Sequence, residues 1–151
     1  MKHVILSTLF AFILLSGCGK KDPVTLTKKE ILVAGGATKS WIVTSITGTT
    51  GGKTTEVSSA CDKDDTAIFN SDGTYSFDRG KLKCNSTDPQ TVTGTYTISA
   101  DETTFTATEK GSTTGPIIYK IEELTASKFS LSLTTSTQSG NLTITVTSVP
   151  N

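Results

Sequence analysis

From Lys39 to Val149 the chain repeats one pattern, apolar residues at alternate positions with threonine or serine between them. "KSWIVTSIT" sets Trp41 and Val43 on one face, and "TYSFD" does the same for Tyr75 and Phe77. "TVTGTYTIS" sets Tyr96 and Ile98 opposite Thr93, Thr95 and Thr97, while "TTFTATE" pairs Phe105 with Ala107. "PIIYKIEEL" aligns Ile117, Tyr119 and Ile121, "KFSLSLTT" aligns Phe129, Leu131 and Leu133, and "NLTITVTSV" aligns Leu142, Ile144 and Val146. A period of two belongs to extended backbone, whose successive side chains point to opposite faces. Threonine, 30 of 151 residues, points the same way. Its β-branched side chain suits a pleated, half-wet surface better than a helix. With "TAIFN" before the turn Asn70-Ser71-Asp72-Gly73 and a weaker segment at "KTTEVSS", about eight or nine strands follow one another through short turns. The chain is therefore all-β, an antiparallel meander that either closes into an up-and-down barrel or folds into a sandwich.

The N-terminus has a different grammar. Lys2 and His3 precede an apolar run from Val4 to Leu15, broken only by Ser7 and Thr8. Crossing a bilayer takes about 20 apolar residues, so this run is too short to span and has the length of a signal-peptide core. It ends in Leu15-Ser16-Gly17-Cys18, which resembles the lipobox of bacterial lipoproteins. The resemblance implies a signal peptide over 1–17, diacylglycerol on the Cys18 thiol, and Cys18 as the mature N-terminus. It also implies a membrane partner through the acyl chains, since two or more chains anchor stably at about 0.8 kcal/mol per buried methylene. Gly19 rather than Asp after the cysteine implies the outer membrane, and Lys20-Lys21-Asp22 is similar to tags that carry some lipoproteins to the cell surface.

Residues 18–26 read as a tether, and 27–151 as one domain, expected to be monomeric. Thr27 and Glu30 have capping-box spacing, so a short helix of about two turns is expected before Gly35-Gly36. The formal charge is zero, which leaves no field to attract nucleic acid. Cys61 and Cys84 remain once Cys18 is assigned. In an exported chain their simplest reading is a structural disulfide, and no Cys-x-x-Cys or histidine favours redox chemistry.

Together, "GGATKSWIVTSIT", "ACDKDDTAIFNSDGTYSFDRG", "KCNSTDPQTVTGTYTIS" and "YKIEELTASKFSLSL" resemble the bacterial lipocalin-like lipoprotein domain over roughly residues 27–136. The resemblance implies a lipocalin-like antiparallel barrel of about eight strands, a calyx whose base is closed by a tryptophan, here Trp41. The usual Gly-x-Trp is absent, because Gly36 lies five residues before Trp41. Residues 137–151 supply one further strand, inside the barrel or outside it.

The mature chain holds little for catalysis. Cleavage after residue 17 removes His3, the only histidine, and with it any Ser-His dyad. No phosphate loop or zinc spacing is present, so no cofactor and no metal are expected. Asp62, Asp64, Asp65 and Asp72 read as solvated turn acids, lacking the spaced glycine and closing glutamate of a calcium loop. Glu122 and Glu123, adjacent on a strand, are expected on opposite faces, unable to work as an acid–base pair. What remains is the barrel interior. Tyr75, Phe77, Tyr96, Phe105, Tyr119 and Phe129 are the candidates for holding a small lipophilic ligand, and Gly94 and Ala107 suggest room beside them. The alternative is a filled barrel whose threonine-rich face or loops meet a partner protein or glycan.

Overall fold

The computed structural model describes residues 25–138 and 140–151; Cys18 and residues 1–17 lie outside them. Among the described residues no helix is long and apolar enough to cross a membrane. One short helix, α1 (Lys28–Leu32), precedes nine strands: β1 (Thr38–Thr50), β2 (Lys53–Glu56), β3 (Thr66–Asn70), β4 (Thr74–Asp78), β5 (Thr91–Ile98), β6 (Thr104–Glu109), β7 (Ile117–Leu124), β8 (Phe129–Thr137) and β9 (Gly140–Pro150). Consecutive strands pair antiparallel from β3 to β9, and β1 pairs with both β3 and β9, which closes eight strands into a barrel. The fold is thus the antiparallel all-β meander expected from the period-two pattern, closed into the lipocalin-like barrel that the resemblance implied rather than folded into a sandwich. The tail 137–151 belongs to it, because β9 runs beside β1 from Trp41 to Thr50 and seals the ring. β2 pairs only with the far half of β1 and stands outside the ring.

Two bulges keep the apolar positions inward where strict alternation would turn them out. The register slips between Val43 and Ser45, so Trp41, Val43, Ile46 and Gly48 all face the interior. A second slip lies between Ile121 and Glu123, and it leaves Ile121 and Leu124 both buried. This bulge corrects one expectation: Glu122 and Glu123 share the outer face. Glu122 accepts hydrogen bonds from Lys120 and Ser132, while Glu123 pairs with Lys128 at 2.8 Å. Both acids are thus held in surface ion pairs.

One end of the barrel is shut. α1 spans five residues rather than the longer helix expected, since its chain turns out at Ala34 and Gly35, both in the left-handed region. Thr27 and Glu30 form the capping box as read. Leu32 and Val33 press onto the barrel end, and the Trp41 indole N–H donates to the Leu32 carbonyl at 2.9 Å. Lys28 fastens the helix to the β5–β6 turn by donating its backbone N–H to Glu102 at 2.9 Å. Above Trp41 lies an aromatic layer centred on Phe69, whose ring centre is 5.2 Å from Tyr96, 5.6 Å from Phe105 and 5.8 Å from Phe129. These three contacts are edge-to-face, a geometry that adds about 0.5–1.5 kcal/mol per pair beyond burial. This half of the barrel is solid.

Candidate functional site

The other half is hollow. Over the aromatic layer sits a cavity of about 360 Å³, floored by Phe105 and Phe129 and walled by Tyr75, Phe77, Val92, Ala107, Tyr119, Leu131 and Val146. Its mouth lies at the end away from α1, among Asp65, Arg79, Glu109 and the β6–β7 loop at Ser112, Thr114 and Gly115. Small-ligand pockets run from about 300 to 1,000 Å³, so this volume suits one small molecule or a single chain.

Five of the six aromatic candidates line this space. Tyr96 does not: it is 3% exposed in the solid half and donates its phenol to the Asn70 carbonyl at 2.7 Å. Burial raises the pKa of Tyr75, Tyr96 and Tyr119, so the two phenols at the cavity, Tyr75 and Tyr119, stay protonated donors at neutral pH. Gly94 does not supply room. A Cβ there would collide with the Thr108 carbonyl oxygen and lie 2.6 Å from Tyr75 Cε1. The Tyr75 ring already covers that position from the directly paired residue on β4. Ala107, by contrast, borders the cavity.

Phe69, Asp65, Arg79 and Glu109 are among the interior residues that escaped the reading of the sequence. Phe69 stands opposite Tyr75 across a four-residue turn, and that register alone puts the two side chains on one face. Asp65, Arg79 and Glu109 continue the inward positions of β3, β4 and β6 past the strands' apolar stretch. Asp65 corrects the view of "CDKDD" as solvated acids, for it is buried with 8% of its surface exposed. Its backbone is fixed by the Val43 N–H, which donates to the Asp65 carbonyl at 3.0 Å. Loss of solvent pushes the Asp65 carboxyl up to about 6; the Arg79 guanidinium opposes the shift, and Asp64, Asp62 and Asp78 add to it.

The rim is stitched by the loop acids. Asp64 accepts from the Lys81 and Leu82 backbone N–H groups at 2.7 and 3.0 Å. Its carboxylate packs against Gly80, where φ is +58° and a side chain would collide. Asp62 takes the Ser59 N–H at 2.7 Å, and Asp78 takes the Gln90 amide at 2.8 Å. Cys61 and Cys84 form the disulfide, with Cα atoms 5.2 Å apart, tying the β2–β3 crossover to the β4–β5 loop.

Among curated proteins no relative matches the chain. A strand ring with a helix at its shut end and a cavity at the other is a lipocalin-like arrangement, and the sequence agrees: the lipocalin-like domain family's profile matches residues 38–131, so the chain belongs to that family.

Proposed function

We propose that this protein holds one small, mostly apolar molecule inside the barrel and performs no chemistry on it. The observation that carries the reading is the cavity of about 360 Å³ above the Phe105–Phe129 floor, walled by aromatic and aliphatic side chains. The filled-barrel alternative describes only the half that packs around Phe69. Burying apolar ligand surface at about 25 cal/mol per Å² supports micromolar binding after association costs. With histidine confined to position 3, a mature chain starting at Cys18 has no imidazole to serve as general base.

Titration of the purified protein with the uncharged fluorophore N-phenyl-1-naphthylamine tests the reading. Saturable blue-shifted emission is expected, abolished in a variant with Ala107→Trp, which fills the cavity. A flat titration, with native mass spectrometry finding no co-purified molecule, would overturn it.

We further propose that the protein is an envelope lipoprotein anchored through Cys18 at the outer membrane. The order of basic residues, apolar run and lipobox supports this. Intact-mass analysis of detergent-extracted protein should give a chain beginning at Cys18 with diacylglycerol attached; an unmodified chain cut elsewhere would contradict it.

A further inference from the structure

The cavity is largely apolar, with the Tyr75 and Tyr119 phenols and Ser148 in its lining, and at its mouth two polar groups of opposite sense go unmet. The Asp65 carboxyl accepts no hydrogen bond from any described side chain, and its Oδ1 is sealed from solvent without a partner. Arg79 Nε, a donor, is likewise buried and unpaired. The guanidinium is otherwise held by Asp88 at 3.5 Å and by its stacking over the Phe77 ring, 5.8 Å from the ring centre. A buried group without a partner is costly to the fold, and folds rarely leave two such groups at one cavity.

We propose that the cavity selects a molecule with an uncharged head that both donates and accepts hydrogen bonds, a primary alcohol or a carboxamide, and disfavours a carboxylate. The proposal rests on the ligand-binding reading and adds the chemistry of the head. The head donates to Asp65 and accepts from Arg79, while the tail lies over Phe105 and Phe129. A carboxylate has no proton to give Asp65. It also meets an acidic surrounding: Asp65 and Glu109 line the cavity against one Arg79, with Asp62, Asp64 and Asp78 close enough to act on Asp65. Arg79 offers it little, because Asp88 already takes that cation. Sites built to satisfy a donor reject analogues lacking it far more sharply than apolar pockets reject a missing methylene.

The test is displacement of N-phenyl-1-naphthylamine from the full-length protein at pH 8 by four competitors that share a ten-carbon chain: 1-decanol, decanamide, methyl decanoate and decanoate. The alcohol and the amide should displace at concentrations at least tenfold lower than decanoate, with the ester, which only accepts, in between. Asp65→Asn removes the charge and keeps the shape, and should narrow the alcohol-to-decanoate gap several-fold, read as a ratio of the two competitors on the same variant so that any change in probe affinity cancels. Decanoate equal to or better than decanol on the wild-type protein overturns the proposal and leaves the cavity reading standing. No saturable probe binding overturns both.

Discussion

At the scale of single residues, the informative ones are those that break the alternation of grease and threonine. Asp65 follows three charged neighbours, and nothing in that run separates a solvated acid from a buried one. The difference lies in a crossover that drops Asp65 inward between β1 and the Arg79 strand end. Such burial has a pH signature. The folded carboxyl titrates at about 6, against about 3.9 in an unfolded chain. Between those values the folded state keeps a proton that the unfolded state has released. The stability of the fold therefore falls as pH rises from about 4 to about 6, and the full penalty of the ionised group is present above that. Asp65→Asn, which cannot ionise, should melt higher than wild type at pH 8, and the difference should shrink steadily toward pH 4. Thermal melts across that range check this, and a gap that stays constant would show that ionisation is not the cause. Phe69 is a different kind of omission. Its strand was legible, but its face was not, because "TAIFN" is too short to show a period by itself; the pairing with Tyr75 decides it.

At the scale of elements, period two recovers the strands because each has one buried face, a constraint that neighbouring strands reinforce. Local alternation says nothing of where it slips. Neither bulge is signalled by a glycine or proline, and the one at Ile121/Glu123 is what moves Glu123 to the outer face beside Glu122. The same limit applies to Gly94. In sequence it is a gap among large residues; in the sheet it is a seat for the Tyr75 ring. Gly94→Ala should therefore destabilise by about 1–3 kcal/mol, as overpacked sites do. Urea unfolding with an unchanged m-value would carry that result. A neutral effect would mean that β5 and β6 separate freely, contrary to the close approach of Thr108 there.

At the scale of the whole molecule, the barrel is two different materials end to end, a solid aromatic plug under Trp41's helix and a lined hollow with a stitched rim. The disulfide belongs to the rim. It closes a loop of 23 positions, for which chain entropy gives about 3 kcal/mol of stabilisation. Replacing Cys61 and Cys84 with alanine should lower stability by that order. It should also speed release of bound N-phenyl-1-naphthylamine, since the β2–β3 crossover and the β4–β5 loop frame the mouth. Unchanged release kinetics in stopped flow would place the gate elsewhere, at the β6–β7 loop. The position of α1 has a consequence of its own. Thr25 leaves the barrel at its shut end, and Cys18 lies seven positions before it, a reach of at most about 25 Å. If Cys18 carries the acyl chains, the protein stands on its plug like a goblet on its foot, with its rim turned away from the lipid. Cargo then arrives from the aqueous side rather than by lateral diffusion out of the bilayer. A photo-crosslinker at Ser112 should accordingly label water-borne molecules and spare phospholipid.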